Sequence, residues 1–374
     1  MKIKVFFNKY FFELLMYKMN IQKSFGLDII RIIAAFLVFI PHLILNFSNN
    51  LTYTNIAYVI STIGVELFFC LSGYLICRQG LYIATSKNFF LKNTIVFIKR
   101  RVLRTWPAYF FALISYIFFY RYLENELIFY FFFLQNLFYP MVSNTFFSVS
   151  WSICVEELFY IIFPALLCAI AFMLRKIKIQ PKLLIIFTCL IIILVIFLTR
   201  INLNYNDWGS EVRRVSFLRL DAIAFGGLSY FLFQRHANLK YLKLLVLSLG
   251  ICSMILIYHY FVFYLENNSF ESFIVSSNLI FYYIYLFCIS VIFLLDRTIK
   301  VTNIFSKNTI SELANWAYPL YLMHILIIDL IKSLNINILL INILFILFIN
   351  FFTAHIIRKY LELTFIKIRP KYLS

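Results

Sequence analysis

Charge is what this chain has least of. Only 13% of its 374 residues are Asp, Glu, Lys or Arg, against about 25% in a soluble protein. Glycine and proline are scarce as well, with 8 and 7 residues. There is no Gly-rich phosphate loop, internal repeat or low-complexity linker. The seven cysteines lack both the spacing of a disulfide framework and the pairing of a zinc site, so no metal is expected. What fills the chain is apolar: 63% hydrophobic residues and 20% aromatic ones. One soluble core cannot hide that much apolar surface, and lipid must serve as solvent.

Ten segments are long enough to cross a ~30 Å hydrocarbon core: 28–46, 55–78, 107–123, 150–173, 183–199, 217–234, 242–262, 272–295, 313–331 and 336–357. The expectation is an all-α polytopic bundle of about ten transmembrane helices over residues 27–370. A cytoplasmic or interfacial segment, 1–26, precedes it and carries five lysines around Phe-rich patches. Asn8, Lys9 and Glu13 interrupt any secretory signal core there, and Met1 and Met19 both stand as starts.

The net charge of +18 would suggest nucleic acid in a soluble protein. Its distribution says otherwise. Alternate connections, beginning with the N-terminus and counted with the span-edge residues Arg78 and Lys243, hold 27 Lys and Arg against 5 in the intervening ones, counted with Arg121. That is the positive-inside bias; it puts both termini in the cytoplasm and leaves the charge facing anionic lipid headgroups rather than nucleic acid. Residues 127–139 are very apolar but short, and a crossing there would invert the bias downstream. They read as an interfacial or re-entrant piece on the outer side.

The topology turns position into depth. Arg31 and His42 lie in the first span, eleven residues apart, which is three turns of helix. They share a face about 16 Å apart, with Arg31 toward the cytoplasm and His42 in the outer half. Glu156 and Glu157, in the fourth span, fall near the depth of His42, as do Arg219 and Asp221 in the sixth; His324 lies mid-way in the ninth. Lys99-Arg100-Arg101-Val102-Leu103-Arg104 precedes the third span, and Arg101 and Arg104 share a face. Ionisable residues inside a membrane point to a site by default.

These residue types suit acyl transfer from a cytosolic carrier to a hydroxyl. Histidine can remove the hydroxyl proton, a carboxylate can hold the imidazole tautomer, and arginines can grip phosphates by forked, charged hydrogen bonds. Plainer readings stand beside these. Arg31 can pair with Asp28 at i,i+3 and snorkel, Arg101 and Arg104 can be ordinary anchors, and His42 alone can be a satisfied buried histidine. His236, His259 and His355 have no such company and read as structural.

Four blocks in order resemble the acyltransferase 3 family of integral-membrane acyltransferases: Leu27-Asp28-x-x-Arg31-x-x-Ala34-Ala35 ending at His42; Gly64-Val65-Glu66-Leu67-Phe68-Phe69-x-x-Ser72-Gly73-Tyr74-Leu75; Arg100-Arg101-x-x-Arg104-x-x-Pro107-x-Tyr109; and Trp151-Ser152-x-x-x-Glu156-Glu157-x-Phe159-Tyr160. Weaker echoes are Arg219-x-Asp221 with Gly226-Gly227, Tyr318-x-x-Tyr321-Leu322-x-His324, and Glu362. Ile32 and Leu158 depart from the family's usual small residue and Gln, and neither removes a catalytic group.

The resemblance implies ten core helices and no permanently bound cofactor. It implies acyl-CoA, usually acetyl-CoA, as donor and a carbohydrate hydroxyl, free or lipid-linked, as acceptor. The expected setting is O-acetylation of a surface polysaccharide such as O-antigen or capsule, in a bacterial inner membrane. By the same resemblance His42 would be the base or a transient acyl carrier, with Glu156 or Glu157 orienting it. Arg31, Arg101 and Arg104 would hold the donor, and Asp28, Glu66, Trp151, Ser152, Arg219, Asp221 and His324 would bind substrate or support the site. A transporter or polysaccharide flippase is the rival reading, because intramembrane charges mark translocation paths too. Against it, the halves show no inverted-repeat symmetry.

Overall fold

The computed structural model describes residues 25–85, 90–137, 146–174, 179–203, 208–234, 240–267, 271–298 and 304–372; the N-terminal segment expected to be interfacial lies outside them up to residue 24. The long helices are α1 (Phe25–Phe47), α2 (Leu51–Thr85) and α3 (Phe90–Tyr120). A short α4 (Leu127–Phe131) follows, then α5 (Trp151–Met173), α6 (Pro181–Ile201), α7 (Leu220–Gln234), α8 (Lys240–Asn267), α9 (Glu271–Thr298) and α10 (Ile304–Ser333). Last comes α11 (Leu339–Ile356), which runs through a widened π-type turn, Ile357–Glu362, into α12 (Leu363–Lys367).

Among the described residues eight helices are long and apolar enough to cross a membrane, and Lys243–His259 is a shorter apolar helix. The sixth expected span, 217–234, is built as a single 3₁₀ turn, Phe217–Arg219, leading into the 15-residue α7. The protein is an all-α polytopic helix bundle.

Two expectations need adjusting. The third helix starts at Phe90, not near Pro107, and Pro107 sits inside it. The basic stretch 99–104 is therefore helix, because Asn93, Phe97, Arg101 and Thr105 recur every fourth residue and are all buried on one stripe. Proline is tolerated mid-helix where neighbouring helices cover the freed carbonyl. The second helix is 35 residues long, about 52 Å, and projects beyond a ~30 Å core. Residues 127–131 form one short turn of helix, about 7.5 Å long, too short to cross.

α1 packs on α2, α9 and α10, and α2 packs in turn on α6 and α7. The scarce glycines are placed where backbones touch. A Cβ on Gly73 of α2 would lie 1.8 Å from the Ile223 carbonyl oxygen of α7, and one on Gly226 would lie 2.0 Å from that of Cys70. Small residues on both helices permit this approach, the usual basis of close helix packing in lipid.

The bundle's buried charges are largely paired. Arg219 pairs with Glu66 of α2, and Arg200 of α6 pairs with Asp221 of α7. The Tyr285 hydroxyl of α9 donates to Asp221 at 3.1 Å, and the Arg219 guanidinium lies 3.5 Å from the centre of the Phe281 ring. These pairs tie four helices together without exposing charge to lipid.

Candidate active site

A cavity of about 430 Å³ runs through the bundle between α1, α2, α3, α5, α10 and the α11–α12 segment. Its wall follows helical spacing. α5 contributes Ser152, Glu156 and Tyr160, and α10 contributes Asn315, Tyr318 and Tyr321. One end is basic. Among the described residues five arginines line the cavity: Arg31, Arg101, Arg104, Arg358 and Arg369. The structure thus brings together the three arginines singled out in the sequence and adds two that were counted there only as membrane anchors.

The five are not equivalent. Arg31 pairs with Asp28, and the pairing leaves it in the cavity wall. Arg358 pairs with Glu362 at 2.7 Å. Arg101 is 4% exposed, rests on the rings of Tyr160 (5.1 Å) and Phe97 (5.5 Å), and leaves Nε and Nη2 buried without a hydrogen-bond partner. Nε and Nη2 of Arg369 are likewise unpartnered. Burial, then the charges of Arg104, Arg100 and Arg101, pull the Arg369 guanidinium down to about 9. Next to Arg369, Arg100 donates to the Pro370 carbonyl at 2.8 Å, which holds the C-terminal segment against α3.

The opposite end closes on hydroxyls, and the two imidazoles are packed behind Tyr321, outside the cavity's lining. The Ser152 and Tyr321 hydroxyls are 2.7 Å apart, and Tyr321 donates to the Val149 carbonyl at 3.1 Å. One turn beyond Tyr321 lies His324, fully buried, with its ring 4.9 Å from that of His42 in edge-to-face contact. The His42 Nδ1 lies 2.7 Å from the Val38 carbonyl oxygen, and the His324 Nδ1 lies 2.7 Å from that of Tyr321. A carbonyl only accepts, so both Nδ1 atoms carry the proton and both Nε2 atoms present a lone pair. The His324 Nε2 has no partner.

This corrects the expected pairing of His42 with a glutamate. Glu156 lines the cavity and accepts from Ser72 and Tyr160, each at 2.7 Å. Glu157 points elsewhere, accepting from Thr105 at 2.6 Å and from the Trp106 indole at 3.1 Å. Neighbours on a helix diverge by ~100°, so the two carboxylates cannot serve one target. The tautomer of His42 is set by a carbonyl of its own helix, one turn back, and its ring neighbour is His324.

The remaining singled-out residues stand at or behind these walls. Glu66, Arg219 and Asp221 are sequestered in the ion pairs of the core, and Trp151 packs edge-on against Phe69 at 5.8 Å. Sequence reasoning missed Arg200, Arg213, Arg358 and Arg369 as site or core residues. Only the i,i+4 spacing of Arg358 and Glu362 hinted at a pairing.

A family model described as an acyltransferase domain matches residues 24–357, nearly the whole bundle and every lining residue of the cavity before Arg358. The chain belongs to the acyltransferase 3 family. No curated protein and no solved structure matches it. As an acyltransferase 3 protein it is a multi-pass membrane acyltransferase, and the cavity is where its chemistry is to be sought.

Proposed function

We propose that this protein is an O-acyltransferase of the bacterial inner membrane. In this reading it moves an acyl group, acetyl above all, from cytosolic acyl-CoA to a hydroxyl of a surface polysaccharide such as O-antigen or capsule, or of its lipid-linked precursor. One observation carries the reading: a single cavity joins five arginines at one end to a Ser152–Tyr321 hydroxyl pair at the other, and the His324–His42 imidazole pair is packed directly behind Tyr321. The positive-inside bias puts the arginine end in the cytoplasm. The unpartnered guanidinium donors of Arg101 and Arg369 suit the phosphates of CoA, with Arg31 and Arg104 beside them. The pantetheine arm would follow the cavity past Glu156 toward Tyr321.

His42 Nε2 would take the proton of the acceptor hydroxyl while the hydroxyl oxygen bonds to the acyl carbon. The C–S bond then breaks, and CoA leaves as a thiolate that takes up a proton. The Val38 carbonyl supplies the tautomer-fixing half of a triad carboxylate's role, holding Nδ1–H so that Nε2 is the base. His324 packs the ring in place.

The test is His42→Ala and His42→Gln in purified, lipid-reconstituted protein, with transfer from acetyl-CoA followed as CoA release. Loss of a general base lowers the rate by ~10²–10⁴, so both variants should fall by that range while CoA binding at the arginine end persists. Near-normal transfer by a folded His42→Ala protein would remove His42 from the reaction.

A further inference from the structure

The outer end of the bundle holds a buried cation that neither the donor nor the fold accounts for. Arg213 ends a π-type turn, Gly209–Arg213, in the connection between α6 and α7. It is 5% exposed, yet among the described residues it makes no ion pair and no hydrogen bond, and its Nε is buried without a partner. Its contacts are aromatic. The guanidinium carbon lies 5.2 Å from the centre of the Tyr58 ring and 5.3 Å from that of Trp151. The nearby carboxylate, Glu66, pairs with Arg219 through Oε1, and its Oε2 accepts no hydrogen bond from Arg213 or any other described group. An unpaired buried cation is costly, and the two rings repay only part of the lost hydration.

Its position is specific. The charges of Arg213 and its neighbour Arg214 reach His42, and both also reach Tyr321 at the end of the donor cavity. Trp151, on which Arg213 rests, immediately precedes Ser152. The orphan donor is therefore near His42, behind the Ser152–Tyr321 end of the cavity and on the side remote from the five arginines. A donor phosphate bound at that basic end cannot be its partner, because Arg31 and His42 stand about 16 Å apart along α1.

We infer that Arg213 is an anion subsite for the acceptor: the molecule whose hydroxyl meets His42 carries a carboxylate or phosphate that the Arg213 guanidinium receives. This rests on the acyl-transfer reading of the site and narrows its acceptor to an acidic one. The Tyr58 and Trp151 faces hold the guanidinium plane, and its forked edge suits the two oxygens of a carboxylate or phosphate. The same anion chemistry can come from two sources, an acidic sugar of the glycan or the phosphate of a lipid carrier.

The experiment measures transfer from acetyl-CoA by the full chain in lipid nanodiscs to three matched acceptors: a neutral oligosaccharide, its uronate-bearing counterpart, and the neutral oligosaccharide on a phosphorylated lipid. The wild type should prefer one of the charged acceptors over the neutral one by roughly ten- to a hundredfold in kcat/KM, the usual worth of a charge-assisted contact. The preferred arm names the source. Arg213→Gln should bring that preference close to one, mainly by raising KM, and Arg213→Lys should retain part of it. If the Gln variant does not fold, a raised KM for the charged acceptor in Arg213→Lys carries the result. An equal fall in kcat for charged and neutral acceptors at constant KM would overturn the subsite and make Arg213 a stabiliser of the transition state. Equal use of all three acceptors by the wild type overturns it while the acyl-transfer reading survives. Transfer to no acceptor defeats that reading and the subsite with it.

Discussion

Two buried arginines of this bundle should respond to removal in opposite ways. Arg219 is fully buried and paired with Glu66, also fully buried. Replacing it with Met leaves a carboxylate in the bundle interior without its counter-charge, and breaking such a pair costs about 3–5 kcal/mol. Arg101 is as deeply placed but among the described residues has no ion pair, only two ring faces and unpartnered Nε and Nη2 atoms, and it lines the cavity. Arg101→Met keeps an apolar stem against Phe97 and Tyr160 and removes an unpaired cation, so the fold should lose nothing and stands to gain. Its effect should fall on the donor. Truncating one charge-assisted contact costs about 1.5–3 kcal/mol, which is roughly ten- to a hundredfold in the Kd for CoA. Calorimetric CoA titration and thermal unfolding of both variants in the same lipid separate the cases. The reasoning fails if Arg101→Met binds CoA normally, or if it destabilises the protein as much as Arg219→Met does.

Two further outcomes follow from the geometry. Arg369 leaves Nε and Nη2 without hydrogen-bond partners in the cavity wall and stays charged at any working pH, so Arg369→Gln should weaken CoA binding roughly tenfold or more when titrated calorimetrically at pH 7, and unchanged affinity would deny Arg369 a part in donor binding. Gly73→Ala would place a methyl 1.8 Å from the Ile223 carbonyl oxygen, so α2 and α7 must separate; overpacking of this kind costs about 1–3 kcal/mol or more, to be read as a lowered unfolding midpoint, and an unchanged midpoint would mean that the crossing is looser than described.

The helical class and most spans were legible because apolar runs of membrane length have few alternatives. The third helix was misjudged at its start because a basic run resembles a loop when read by hydropathy. The stripe through Asn93, Phe97, Arg101 and Thr105 was present in the sequence but lay under that reading. The alignment of Arg31 with His42 is local geometry on one helix and could be read directly. The partner of His42 could not. Depth matching ranks residues by height in the membrane but says nothing about direction around each helix axis, so Glu156, Glu157 and His324 were indistinguishable until the helices were packed. Arg358 and Arg369 were hidden for a different reason: a C-terminal run of basic residues satisfies the positive-inside bias whether or not it folds back over a cavity.

The arrangement of the arginines carries an argument of its own. A chain with so few charges places several of them inside a membrane bundle, where each is costly. Arg200 and Arg219 are matched by Asp221 and Glu66 from neighbouring helices, and their cost is met within the fold. Among the described residues Arg101 and Arg213 have no matching carboxylate: each lies on two aromatic faces with donors left over. They stand apart: Arg101 lines the cavity within the arginine cluster, and Arg213 rests on Trp151 behind the Ser152–Tyr321 end, outside the cavity's lining and within reach of His42. A transfer in which both substrates entered from one side would need its unpaired cations together at one mouth. Separation across the bundle is what a reaction requires when an anionic donor and an anionic acceptor approach from opposite faces and exchange a group beside the histidines.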